Sequence, residues 1–138
     1  MAATDAEIRE ILTRVKTIAV VGWSPKADRP SNGVARFLHK RGYRVIPVNP
    51  GQVGQDSGLG EVVRASLADI GEAVDMVDIF RRSEEVGPVV DQAIAVGARV
   101  VWMQLGVINE TAADAARKAG LDVVMNRCPA IEMPRLGL

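Results

Sequence analysis

Residues 22–31 read Gly-Trp-Ser-Pro-Lys-Ala-Asp-Arg-Pro-Ser. Two hydroxyls, Ser24 and Ser31, and two cations, Lys26 and Arg29, stand together in this run. Hydroxyl, ammonium and guanidinium groups are the donors that recognise phosphate. Gly22 would let an anion approach the backbone, and Ser31, read as the cap of the next helix, would set that anion at the helix's positive end. The spacing therefore predicts a phosphate site. It is not the dinucleotide fingerprint G-x-G-x-x-G, because Ser24 and Ala27 occupy the second and third glycine positions. Nor does Pro47-Val48-Asn49-Pro50 supply the acid that would hold a ribose 2′-hydroxyl. Nicotinamide chemistry is thus disfavoured, while a phosphorylated ribose is admitted.

Other chemistry-bearing residues are few. Phe80 could pack on an adenine and Arg81 could pair with phosphate, whereas Arg82 reads as solvent-facing. Gln104 closes an apolar run with both a donor and an acceptor for an amide, and Gly106 permits close backbone approach. His39, between Leu38 and Lys40, reads as solvated surface. Cys128 follows Arg127, a cation that favours the thiolate, yet no base is evident from spacing, so a free, buried or half-buried thiol is expected. Asp75 and Asp78 would share a strand face only through a bulge, so paired-carboxylate catalysis is not expected.

The elements that must position these groups alternate. Thr4 and Glu7 form a capping-box pattern ahead of Ile8, Ile11, Leu12 and Val15 at helical spacing. The runs at 17–21, 43–48, 74–80, 99–105 and 121–125 are apolar and rich in β-branched residues, as buried strands are. Helices are expected after Ser31, after Ser83 and from Thr111 to Lys118 behind an Asn109 cap. The glycine-rich run GQVGQDSGLG is the long irregular segment. Val62 and Val63 could add a brief edge strand after it, and Ser66 to Ile70 a helical turn. Asp75 and Asp78 are expected near a strand end or edge. Strands alternating with helices predict right-handed crossovers: an α/β, Rossmann-like, doubly wound and mainly parallel sheet of five or six strands with helices on both faces. Such sheets bind ligands beyond the carboxyl ends of the strands, where the winding reverses.

Composition agrees with one small domain spanning 1–138. Hydrophobic residues make up 48% and charged residues 25%. Seventeen basic residues balance seventeen acidic ones, which argues against a whole-surface nucleic-acid or membrane binder. One cysteine and one histidine exclude an internal disulfide and a structural zinc site, so no metal is expected. The acidic N-terminus and the lack of a bilayer-spanning apolar run give the expectation of a soluble cytoplasmic protein.

The runs GWSPKADRPS, GYRVIPVNP, VDMVDIFRRSEE, AIAVGARVVWMQLGVINE and AGLDVVMNRCPAIEMPRL, in that order, resemble the small stand-alone CoA-binding proteins, which are similar to the N-terminal domain of the succinyl-CoA synthetase α subunit. The resemblance covers about residues 5–138. It implies a Rossmann-like fold that holds coenzyme A, or a short acyl-CoA, without catalysing a reaction. It would place Gly22, Ser24, Lys26, Arg29 and Ser31 around the phosphates, Val48 and Asn49 beside the nucleoside, and Phe80 and Arg81 opposite. Met103, Gln104 and Gly106 would line the path of the diphosphate and pantetheine. Two positions depart from the pattern: Gln52 stands near where the synthetase domain has a CoA-contacting lysine, and Asn126 stands where the family's Asp-Arg-Cys has its aspartate. A small acyl-CoA-acting enzyme using Cys128 and a CoA-responsive interaction subunit are the alternatives. A mixed disulfide between Cys128 and the pantetheine thiol under oxidation is a further one.

Overall fold

The β-branched runs form five short strands: β1 Thr17–Val21, β2 Arg44–Val48, β3 Met76–Ile79, β4 Val100–Met103 and β5 Asp122–Met125. They pair in parallel in the order β2-β1-β3-β4-β5 in a computed structural model that describes residues 2–138. Every residue of β3 and β4 is buried, which is why these strands carry no polar alternation. Helices α1 (Asp5–Arg14), α2 (Pro30–Lys40) and α5 (Pro129–Arg135) cover one face, packing Ile8, Leu12, Leu38 and Met133 against Ile18, Val20 and Trp102. Helices α3 (Val86–Ala95) and α4 (Glu110–Lys118) cover the other, packing Val90 and Ala113 against Val77, Ile79 and Val101. The fold is therefore the expected Rossmann-like, doubly wound α/β sheet, with five strands.

Val62 and Val63 add no sixth strand. Val62 makes an isolated bridge with Asp56 and Arg64 one with Val48, on either side of Val63, after a loop that turns at positive φ on Gly54, Gly58 and Gly60. A short 3-10 turn, Leu67–Ile70, follows as expected.

The helix ends show which signals acted. Thr4 and Glu7 close a full capping box on α1, and Asn109 Oδ1 accepts from the Ala112 N–H at 2.9 Å to cap α4. The two predicted serine caps are not used as caps. Helix α2 begins at Pro30, whose fixed φ suits a first helical position, so Arg29 takes the cap position with no side-chain hydrogen bond. Ser31 Oγ instead accepts from the Ser24 N–H at 3.0 Å. Ser83 opens a 3-10 turn ahead of α3, and its Oγ accepts from the Ile108 N–H at 2.9 Å, tying the β4–α4 loop.

The two acids of the third strand part company. Asp75 lies just before β3, where its Oδ2 accepts from the Lys16 and Thr17 N–H groups at 2.8 and 3.0 Å. Asp78, expected near an end or edge, is instead fully buried in the middle of the central strand, between Val20 and Trp102 in register. Neither of its oxygens has a hydrogen-bond partner, and burial pushes its carboxyl well above the ordinary aspartate range.

Candidate functional site

From β1 the chain moves outward to β2, and from β3 it moves the opposite way to β4 and β5. The winding therefore reverses between β1 and β3, and a crevice must open at their carboxyl ends. A cleft of about 650 Å³ lies there, within the range of small-molecule sites. Gly22, Ser24, Arg29 and Ser31 line it from the β1–α2 loop, Phe80 and Arg81 from the end of β3, and Gln104 from the end of β4. Seven residues expected from the sequence are thus brought together.

Gly22 is where two strands nearly touch. Its φ is +90°, and a Cβ there would lie 2.2 Å from the Phe80 carbonyl oxygen. The space a side chain would fill is therefore taken by β3, so glycine is demanded by strand packing and not by the approach of an anion alone. The loop that follows is held by its own side chains. Ser24 Oγ accepts from the Lys26 N–H, Asn32 Nδ2 donates to the Ser24 carbonyl, and Asn49 Nδ2 donates to the Trp23 carbonyl at 2.7 Å.

Charge is unevenly committed around this cleft. Among the described residues, Lys26 and Arg29 form no ion pair and both are exposed. Arg81, by contrast, bonds Glu85 Oε2 at 2.8 Å, an interaction that holds the Glu85 carboxyl below its usual range. Arg82 is 80% exposed at its side chain and approaches the same carboxylate only to 3.9 Å. Helix α2 points its N-terminus at the cleft with no side-chain cap and no acid in its first turn, leaving its positive end uncompensated. An anion would find two free cations, that helix end and the hydroxyls of Ser24 and Ser31.

Five expected residues do not line the cleft. Lys26 is exposed on the same loop but outside the lining. Val48 and Met103 are 3% and 0% exposed, because the strand alternation turns both toward the α3 and α4 face, where they join that core. Asn49 is half-buried, its side-chain Oδ1 accepting from the Gly51 N–H and its Nδ2 donating to the Trp23 carbonyl. Gly106 has φ +85° and is exposed, and its N–H donates to Asn126 Oδ1 at 2.7 Å. Asn126 itself takes φ +60°, so a short carbonyl-bearing side chain is needed there and the neutral amide serves. Gln52 is half-buried in a 3-10 turn, Pro50–Gln52, and its Oε1 accepts from Gln55 Nε2.

The lining also holds Pro30, Val34, Arg82, Glu85, Leu105, Val107 and Ile131, which the sequence reading left outside, and Cys128, which it placed at the ligand only in its alternatives. Leu105 and Ile131 are 59% and 53% exposed. Cys128 is a free thiol, 7% exposed. Its signal was topological, since β5 runs parallel to β4 and the segment after it must end at the same edge. Gln104 is 5% exposed, and its buried Oε1 has no hydrogen-bond partner, a cost a ligand N–H would remove. No cluster of metal-ligating groups occurs among the described residues, and no helix is long and apolar enough to cross a membrane.

The chain is similar to several known proteins. A family model described as a CoA binding domain matches residues 16–134. The uncharacterized protein YneT of Bacillus subtilis is 42% identical over 125 residues, covering 91% of this chain and 90% of that one. A hypothetical protein from Pyrococcus horikoshii is 43% identical with a TM-score of 0.91, covering 99% of this chain and 94% of that one. A Thermus thermophilus protein is 38% identical with the same TM-score, covering 97% and 99%.

Proposed function

This chain belongs to the CoA-binding domain family, and on that premise we propose that it binds coenzyme A or a short acyl-CoA in the cleft at the carboxyl edge of β1, β3 and β4. The observation that carries this reading is the pair of unpartnered cations, Lys26 and Arg29, beside an uncapped helix N-terminus at the winding reversal. Coenzyme A is a polyanion at its nucleotide end and an amide-bearing arm at the other. The cleft matches both: Arg29 and the hydroxyls of Ser24 and Ser31 from the β1–α2 loop, with Lys26 exposed on the same loop, then the unpartnered amide oxygen of Gln104. Phe80 is half-buried in the lining, with ring surface available to an adenine.

The reading is of a binding module rather than a catalyst. His39 is exposed on α2, outside the lining. Cys128 is a free, buried thiol, and among the described residues no hydrogen bond joins its side chain to a base or carboxylate. Incubation with acetyl-CoA or succinyl-CoA should leave the thioester intact.

Two experiments test the assignment. Freshly purified protein, denatured and examined by mass spectrometry, should release CoA or an acyl-CoA. Equilibrium dialysis of ligand-free protein should then show saturable uptake of CoA and none of NAD. A protein that releases no CoA and takes up none overturns the proposal.

A further inference from the structure

We propose that Cys128 is a thiol–disulfide exchange site for the ligand itself, capturing coenzyme A as a mixed disulfide when the cofactor is in its disulfide form; this rests on CoA being the ligand of the cleft. Cys128 is a free thiol that is buried among apolar residues yet lines the cleft. The nearby Gln104 makes an independent demand for a ligand. It lines the same cleft, is 5% exposed, and its buried Oε1 has no partner. An N–H from the pantetheine arm would satisfy it, which places the arm along the end of β4 and its sulfur toward the end of β5. Arg29 and the α2 N-terminus fix the phosphates on the β1 side, so the two ends of the cleft suit the two ends of the molecule.

The thiol is held in place rather than left on a loose loop. Trp102 Nε1 donates to the Arg127 carbonyl at 2.7 Å, and the Arg127 N–H donates to the Met103 carbonyl at 3.3 Å. Asn126 Oδ1 receives the Gly106 N–H, joining the loops that follow β4 and β5. Leu105 and Ile131, both exposed, flank this end with apolar surface that would cover the new bond.

The chemistry balances without another reactant. The Cys128 thiol gives up its proton, and Sγ attacks one sulfur of CoA disulfide. The S–S bond of the ligand breaks as the Sγ–S bond to one CoA forms. The other CoA leaves with the electron pair and takes up a proton. The oxidant is the ligand disulfide itself.

Intact-mass measurement after incubation with CoA disulfide, without reductant, tests the step. One CoA moiety per chain is expected, removed by dithiothreitol and absent from Cys128→Ser and Cys128→Ala. Peptide mapping of the wild-type adduct identifies the cysteine even if both variants fold poorly. Directed capture further requires that Arg29→Ala react about tenfold more slowly with CoA disulfide. The same variant should react at the wild-type rate with 2-hydroxyethyl disulfide, which has no phosphates. Equal rates of wild type and Arg29→Ala toward CoA disulfide overturn the proposal. So does the absence of an adduct on protein that binds reduced CoA in calorimetry, an outcome that leaves the binding assignment standing. Failure to bind reduced CoA would instead remove the binding assignment on which the capture depends.

Discussion

At the amino-terminal edge of the sheet, Arg14 bonds Glu10 at 3.0 Å and Asp122 at 2.7 Å, and Arg44 bonds both Glu61 and Glu72. Asp75 is engaged there by two backbone N–H groups, and α1 carries a capping box with Asp5 and Glu7 in its first turn. At the carboxyl edge, Lys26 and Arg29 have no carboxylate partner among the described residues, and α2 starts without a cap or an acid. Each edge is built from the same residue types. What differs is that the carboxyl edge, where Arg81 does pair with Glu85, leaves Lys26 and Arg29 without a carboxylate among the described residues. A smaller hollow of about 220 Å³ sharpens the contrast. It lies beside α1 and the start of β5, and in its lining Glu7, Glu10 and Asp122 outnumber Arg117, the wrong balance for a polyanion. A net charge of zero for the whole chain conceals this asymmetry.

The largest expected effect concerns the place where the carboxyl edge is assembled. Gly22→Ala should destabilise the fold by about 2–5 kcal/mol in urea unfolding, from the clash with the Phe80 carbonyl and the strained φ together. A loss of under ~0.5 kcal/mol would mean that β1 and β3 can part without penalty, and the cleft geometry would lose its foundation.

Substituting one cation from each edge breaks the comparison directly. Arg29→Ala should weaken CoA binding by about 1–3 kcal/mol while leaving the urea midpoint unchanged. Arg14→Ala should do the reverse, lowering stability by about 0–1 kcal/mol and leaving CoA affinity intact. Matching affinities in the two variants would erase the distinction between the edges.

Glu85→Gln should have a smaller effect of opposite sign. Releasing Arg81 from its 2.8 Å ion pair adds a free cation to the lining, so CoA should bind a few fold more tightly at low salt. No gain would show that Arg81 lies out of reach of the bound phosphates.

Asp78 belongs to neither edge and tests the core beneath the cleft. Its raised carboxyl pKa means that the folded state keeps a proton the unfolded state loses, so this group lowers stability as pH rises above the ordinary aspartate range toward the folded pKa. Asp78→Asn should remove that slope and raise the urea midpoint at neutral pH relative to wild type. Parallel pH profiles for the two proteins would show that Asp78 finds a partner in solution.

Much of this was legible in the sequence. Parallel α/β order followed from β-branched runs alternating with helical spacing, and the edge at which the cleft opens followed from the order of the elements. The Thr4 and Asn109 caps were readable because their carbonyl-bearing or hydroxyl side chains directly precede a polar-then-apolar helical start. Ser31 misled because Pro30 moves the helix start back to Arg29. Met103 and Gln104 show the limit of loop-level reading, since adjacent strand residues face opposite sides and only the register says which one meets the cleft. Cys128 was recognisable as a thiol but not as sharing a cleft with Gln104, because that depends on β5 pairing with β4. Asp78 could not be placed from alternation alone, because the strand it occupies proved central.

Isothermal titration of CoA into the wild-type protein at low and at physiological ionic strength, repeated with Arg29→Ala, tests the central claim most directly. The account predicts a single saturable site whose affinity falls with salt, with a shallower fall and weaker binding in the variant. Absence of saturable heat in the wild type, or affinities that neither salt nor Arg29→Ala alters, would contradict it.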